Sequence, residues 1–345
     1  MNDKQKRATI IDVAKRAGVS IGTVSRVVNT QAGPVATRQR VLEAIAELDY
    51  VPNHVARSLK RRSTEQIALV VPDIANPVYV AMAKAIQQEA KERGYRLSLM
   101  STDDAPGEED FALDSLEQRR VDGLIICSLK PTKKLVERLE GVRQRVCVVG
   151  RVPEEAQVDN VRVDSTGGAQ AAVQHLLDGG RRTIGFINGA PETVPAETRL
   201  TGYRRALEEN GLQVDDKLVV SGEFSMAGGY RAIDPLFAGR NELDAIFCAN
   251  DVIALGALRR LRELGIGVPE QVALVGMDDI ELGKISTPTL STVSLLAEER
   301  GRLAAELLLE RLLGSAPDES RKITVTPRLI VRESSTDYIR HGVPA

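Results

Sequence analysis

The chain has no tryptophan, and aromatic residues make up only 3% of it. A broad aromatic platform for stacking a ring-shaped ligand is therefore not expected, and any small-molecule site should be mainly polar. Cysteine is scarce too. Cys127, Cys147 and Cys248 each lie in an apolar run (LIICS, RVCVVG, AIFCAN), which points to buried thiols in a reducing compartment rather than a disulfide or metal set. The three histidines, His54, His175 and His341, share no ligand spacing with cysteines or carboxylates, so neither a metal nor another cofactor is expected. No apolar run approaches the length of a membrane span, and residues 1–7 are polar and charged. The expectation is a cytoplasmic protein without an export signal or a membrane partner.

What is present is unevenly charged. Residues 1–62 hold 12 Lys and Arg against 5 Asp and Glu, a net of +7, while the rest of the 345 residues carries 34 against 43, a net of −9. The overall −2 hides a basic front end and an acidic body. A basic segment suits phosphate contact, where neutralised charges release counterions. With 43% hydrophobic residues over more than one domain's length, a sizeable core needs no staples.

Residues 9–29, TIIDVAKRAGVSIGTVSRVVN, read as two short helices joined by a tight turn. Thr9 and Asp12 have capping-box spacing, which starts a helix at Ile10. Ile10, Val13, Ala14 and Ala17 then share one apolar face. Gly18 can take the left-handed backbone that a sharp exit needs, and Ser20 can cap a second helix from Ile21 to Val28. Val24, Val27 and Val28 face inward; Gly22, Ser25, Arg26 and Asn29 face outward. On periodicity alone, a helical hairpin packed into a larger domain fits equally well, and the basic charge favours DNA contact. Gly33 and Pro34 then read as N-cap and first position of a third helix through Val41, Leu42, Ile45 and Leu48.

The runs Asp12-Val13-Ala14, Ala17-Gly18-Val19-Ser20 and Thr23-Val24-Ser25-Arg26-Val27-Val28-Asn29 closely resemble the DNA-binding end of the lactose and galactose repressor family. The likeness continues through Thr37-Arg38 and Tyr50-Val51-Pro52-Asn53, with landmarks as far as Glu333. It departs at Gly33-Pro34, where the family usually has Val-Ser. The resemblance implies a multi-domain protein: an all-α helix-turn-helix head (residues 1–52), a hinge (53–63), and an α/β core (64–345). That core would be periplasmic-binding-protein-like, with two lobes built on parallel sheets. The N-lobe would take about 64–163 and 293–323, the C-lobe about 164–292 and 324–336.

By resemblance, Thr9, Ser20, Thr23, Ser25, Arg26 and Asn29 position the second helix or contact phosphates and bases, while Ile21 and Gly22 face the major groove. Arg26 could pair with guanine and Ile21 meet a thymine methyl. Residues 51–62, VPNHVARSLKRR, read alone as a solvated linker too short for a stable helix. The resemblance instead implies a hinge helix that orders on operator DNA, started by Asn53 beside His54. Ala56 and Leu59 would lie on its DNA face, Leu59 as a wedge that kinks the duplex.

From Glu65 onward, apolar strand candidates (QIALVVP, RLSLMS, DGLIICS, RVCVVG, RTIGFING, DAIFCAN, VALVGMD) alternate with helical stretches, the pattern of parallel sheets covered on both faces. Ligands in such sheets bind beyond the carboxyl ends of strands. Asp73 and Asn76 follow the first strand, Asp164 ends VRVD, and Asn250-Asp251 and Asp278-Asp279 end two more. Polar tips of this kind also cap helices, and for Asp251 and Asp279 capping fits as well as ligand contact. The resemblance implies effector contacts for Arg199, Asp164, Asn250 and Asp278, a stacking role for Phe224, and a further candidate in Tyr79. Where relatives place a polar effector contact, this chain has Leu295 or Leu296. The final helix, AEERGRLAAELLLERLLG, puts Leu303, Leu307, Leu308 and Leu312 on a core face, and RKITVTPRLIVRESS supplies closing strands. Only ten residues follow Ser335, without heptads, so a homodimer without a coiled-coil tail is expected.

The implied function is a ligand-responsive regulator, commonly a repressor, that binds pseudo-palindromic operator DNA as a homodimer. A sugar, sugar phosphate, nucleoside or base is its implied effector, and some relatives use a protein co-effector. A solute-binding protein explains the body but not the basic head. An enzyme is not expected: Gly283-Lys284 lacks the rest of a phosphate loop, and no GxGxxG follows the first strand.

Overall fold

The computed structural model describes residues 8–30, 32–51, 63–103, 105, 107–238 and 242–336, without the side chains of Asn29 and Thr30. The chain divides into two units, Met1–Thr64 and Glu65–Ala345.

In the first unit, α1 (Ile10–Ala17) opens on the expected capping box. The Asp12 carboxylate accepts from the Thr9 amide at 2.8 Å while the Thr9 hydroxyl accepts from the Asp12 amide at 3.4 Å. Gly18 ends α1 at φ 65°, where a Cβ would be strained. α2 (Ile21–Thr30) runs past the expected end at Val28. Ser20 Oγ accepts from the Thr23 amide at 3.1 Å, closing one of the amides left open at the start of α2. α3 (Val35–Glu47) begins one residue later than the sequence suggested. Pro34 is its N-cap, not its first helical residue, because its ψ of 139° is still extended. Val13, Ala14, Ala17, Val24, Val27, Val41 and Ala44 form one small core. Leu42 faces outward, 48% exposed.

The second unit holds two six-stranded sheets. The first is built from β1 (Gln66–Val71), β2 (Arg96–Ser101), β3 (Gly123–Cys127), β4 (Val146–Val149), β5 (Asp159–Val163) and, far later in the chain, β11 (Lys322–Val325). Its order is β11-β5-β4-β3-β1-β2, and every pairing is parallel. The second takes β6 (Ile184–Asn188), β7 (Val219–Ser221), β8 (Ala245–Cys248), β9 (Ala273–Met277), β10 (Ser291–Ser294) and β12 (Arg328–Ile330). It runs β12-β10-β9-β8-β6-β7, with β12 antiparallel against expectation. The chain thus leaves the second sheet at Ser294, returns to the first for β11, and crosses back for β12. Both crossings fall slightly later than the sequence suggested.

Alternation along β1 shows why the strands read as unbroken apolar runs. Ile67, Leu69 and Val71 enter one core with Met82 and Ile86, and Ala68 and Val70 enter another with Leu113 and Leu116 on the opposite face. The buried Asp159 carboxylate on β5 ties the late segments in. Arg311 donates to it twice, at 2.9 and 2.8 Å, and Arg321 at 2.6 Å. Burial pushes the Asp159 carboxyl up, but hydrogen bonds from Arg311 and Arg321 outweigh it and leave the group below its ordinary value. All three cysteines are buried free thiols, as expected.

Candidate functional site

In the head, the turn between α1 and α2 leaves Ile21 48% exposed, one of several large apolar side chains, Ile11 and Leu42 among them, that face outward there. Gly22 beside it is exposed, with only Ser20 Oγ within 4 Å of where a Cβ would stand. Arg26 is exposed one turn on; Thr23 and Ser25 are half-buried; Thr9 and Ser20 are exposed at the starts of α1 and α2. Ser20, Ile21, Gly22, Thr23, Ser25 and Arg26 therefore share the start and outer side of the second helix, while Thr9 lies apart at the start of the first. Asn29 lies in α2, its side chain not described. Asn53, His54, Ala56 and Leu59 fall outside the described residues.

In the body, a cavity of about 640 Å³ opens where strands of both sheets end. All eight expected effector residues line it: Asp73, Asn76 and Tyr79 after β1; Asp164 after β5; Arg199, Phe224, Asn250 and Asp278 around the second sheet. Three also cap helices. Asn76 accepts from the Val78 amide at 3.1 Å, Asp164 from the Gly167 amide at 2.9 Å and Asn250 from the Ile253 amide at 2.8 Å. One carboxyl or amide oxygen of each is thus fixed by the fold, which aims the remaining polar atoms. Asp73 accepts from the Ala75 amide at 2.8 Å within its own loop. Phe224 is held by close approach: a Cβ on Gly189 would fall 2.0 Å from its ring. The Arg199 guanidinium lies 5.7 Å from that ring's centre.

The floor of the cavity is charged, and its charged side chains are buried. Arg199 donates to the Ala249 carbonyl at 2.6 Å, and its nearest Asp278 oxygen is 3.9 Å away, too far for a hydrogen bond. Burial raises the Asp278 carboxyl to about 6, with Arg199 and then Arg300 pulling the other way. Burial lowers both arginines, offset most by Asp278. Burial chiefly, then Cys127 and Asp278, raises the Tyr79 phenol. Leu295 is 2% exposed and lines the cavity, making one wall apolar.

Two sequence alternatives resolve differently from either option. Asp251 neither caps a helix nor lines the cavity; it is turned beneath, accepting from Thr292 Oγ1 at 2.6 Å and the Ile280 amide at 2.9 Å. Asp279 accepts from Arg332 at 2.6 Å, and Ile280 rather than Asp279 precedes the short helix Glu281–Ile285. Arg300 was missed. It lies on the helix Ala297–Leu312 in the stripe that also buries Ala304 and Leu308, and a charge in an inward stripe was the available signal.

The family described as "Bacterial regulatory proteins, lacI family" matches residues 9–53, and "Periplasmic binding protein-like domain" matches residues 173–335. The "HTH-type transcriptional repressor PurR" of Haemophilus influenzae (strain PittEE) is 35% identical over 330 residues, covering 95% of this chain and 98% of that protein. The chain belongs to the LacI family. Among solved structures, this LacI-family regulator is similar to the Lac repressor dimer bound to operator and the anti-inducer ONPF (28% identity, TM-score 0.83, covering 96% of this chain and 100% of that one). It is also similar to the regulator CelR in complex with cellobiose (37% identity, TM-score 0.72, covering 95% and 100%). The enzyme alternative falls with this assignment, since the relatives that match along nearly the whole chain are transcriptional regulators.

Proposed function

We propose that this regulator is a cytoplasmic transcriptional repressor. It binds a pseudo-palindromic operator as a homodimer and is controlled by a small molecule held between the two lobes. The observation that carries the reading is the cavity itself: side chains from the ends of both sheets converge on it, in the same chain as a helix-turn-helix head. The Lac repressor dimer with both operator and anti-inducer, and CelR with cellobiose, are the similar cases that support it.

The mechanism follows from differential binding. A ligand that touches Arg199 and Asp278 on one lobe and Asn76 and Tyr79 on the other favours one angle between the lobes. The paired hinges respond to that angle, and operator affinity changes by the ligand's difference in affinity for the two states. In the head, Ile21, Gly22 and Arg26 meet base edges, while Thr9, Ser20, Thr23, Ser25 and Asn29 fix the helix or reach phosphates. Asn53, His54, Ala56 and Leu59 order in the minor groove.

The test is operator selection from random DNA, followed by titration of sugars, sugar phosphates, nucleosides and bases against the selected duplex. The expected result is a pseudo-palindrome whose affinity moves with one compound class. Arg199→Ala should keep operator binding and lose that response; a surviving response makes Arg199 structural. Leu59→Ala should weaken operator binding and reduce bending, and unchanged bend and affinity would remove Leu59 from the hinge. A head without sequence preference would overturn the regulator's mechanism as stated.

A further inference from the structure

Arg300 is the feature of the cleft that the family resemblance leaves unexplained. Its helix, Ala297–Leu312, cannot move away from the cavity cheaply: at Gly301 a Cβ would stand 2.6 Å from the Met82 carbonyl oxygen, so the two helices are in backbone contact. Arg300 is consequently 8% exposed, and its Nε is buried without a hydrogen-bond partner. Across the cavity, Arg199 is 7% exposed and its Nε is likewise buried and unpartnered. Two guanidinium groups, one from each lobe, thus line the same floor. The carboxylate that acts on both is Asp278, and it sits 3.9 Å from Arg199 without bonding it. Of the other acids lining the cavity, Glu154 pairs with Arg162, Asp73 and Asp164 accept backbone amides of their own loop and helix cap, and Glu197 is exposed at the rim.

A buried charge without a hydrogen-bonded counter-charge is strongly unfavourable. Asp278 acts on both cations and Asp251, from beneath, on Arg199 alone, but no carboxylate hydrogen-bonds either one among the described residues; the unmade N–H bonds are what an incoming anion would satisfy. The guanidinium fork matches the paired oxygens of a carboxylate or phosphate. Around this floor, the free atoms of Asn76, Asp164 and Asn250 suit hydroxyl groups.

We propose that the cleft takes an anionic polyhydroxylated effector, a sugar acid or sugar phosphate, whose acid group is bound jointly by Arg199 and Arg300. The proposal rests on the cleft being the effector site. Arg300 is then the residue that selects acidic over neutral sugars.

The experiment is calorimetric titration of the full-length protein at constant ionic strength with glucose, glucuronate, glucose 6-phosphate and inorganic phosphate. It uses wild type, Arg199→Ala, Arg300→Leu and Arg300→Lys, each checked for a cooperative thermal transition. At least one acidic probe should bind about tenfold or more tighter than glucose. Arg300→Leu should abolish that preference, and Arg300→Lys, which keeps the charge but not the fork, should retain part of it. Tighter glucuronate assigns the acid group as carboxylate; tighter glucose 6-phosphate with competing inorganic phosphate assigns phosphate. The proposal is overturned if glucose binds as tightly as the acids, if the preference persists in Arg300→Leu, or if no probe binds saturably. Should a neutral sugar bind and shift operator affinity equally in wild type and Arg300→Leu, the effector reading stands and the anion inference alone falls. Acid binding indifferent to both Arg199→Ala and Arg300→Leu lies outside the cleft and overturns both.

Discussion

The largest fully buried side chains of the head are valines, Val13, Val24 and Val41, whereas the second sheet of the body is built around Phe186 stacked 5.2 Å from Tyr203 and 5.0 Å from Phe247. The two units are folded by different means. Each large apolar side chain buried in the body contributes about 1.5–3 kcal/mol, and dozens are buried. The head has one small cluster and leans on its helix ends: the Thr9–Asp12 box, Gly18 and the Ser20 cap, each worth roughly 1 kcal/mol. A domain of this size is marginal alone, so its stability is easily tied to the DNA it reads.

The sharpest way to break the contrast is Leu69→Ala, which empties the 0% exposed centre of β1. The expected cost is about 2–5 kcal/mol, read as a lower denaturation midpoint of the body. A midpoint within experimental scatter of wild type would mean that the first sheet does not limit stability. Val24→Ala removes two methyl groups from the head's core, at roughly 2 kcal/mol with its cavity. Because the head has little to spare, operator binding should fall while the main thermal transition, which belongs to the body, stays put. A shift of that transition would show the units unfold together.

Acidity separates them further, because the large carboxyl shifts lie in the body. Burial raises Asp251 to about 7 and Asp278 to about 6. Folded carboxyls raised in this way hold protons that the unfolded chain has released. Their contribution is complete below the ordinary value near 4 and is lost as pH rises toward 7. Asp159 has the opposite sign: its contribution is present above the ordinary value and is lost as pH falls below it. Body stability should therefore be greatest near pH 4–5 and decline toward pH 8, by at most about 1.4 kcal/mol per pH unit for each raised carboxyl. Unfolding curves across pH 3–8 check this; a stability that rises steadily from 5 to 8 refutes the buried acids. The smallest effect is Thr9→Ala, about 1 kcal/mol through the lost cap, visible as weaker operator binding with the body unchanged. Equal operator affinity would show that the cap is redundant.

The head and the first sheet were legible because their signals are local. A capping box, a left-handed glycine and an unbroken run such as QIALVV act over a few residues, and no distant partner reverses them. β7 and β10 were missed for the converse reason. β7 is three half-exposed or exposed residues, and β10 reads STVS, whose Ser291 and Thr292 hydroxyls are satisfied by distant partners: Ser291 Oγ donates to the Arg332 carbonyl at 2.8 Å and Thr292 Oγ1 to Asp251 at 2.6 Å. In the cleft, all eight expected residues came together, yet Asp251 and Asp279 were not distinguishable from the strand-tip residues that do line it. Their partners, Thr292 and Arg332, are 41 and 53 positions away.

The sequence by itself determined the class of protein. The head's motif, the charge split between front and body, and the alternation of apolar runs with helices each carry their meaning within a short window. Only the tertiary structure decided what the cleft contains. Arg300 and Arg199 are 101 positions apart in the chain and sit on different lobes, so neither spacing nor periodicity relates them. Their burial, and the Asp278 carboxylate that acts on both, exist only because two sheets close around one space.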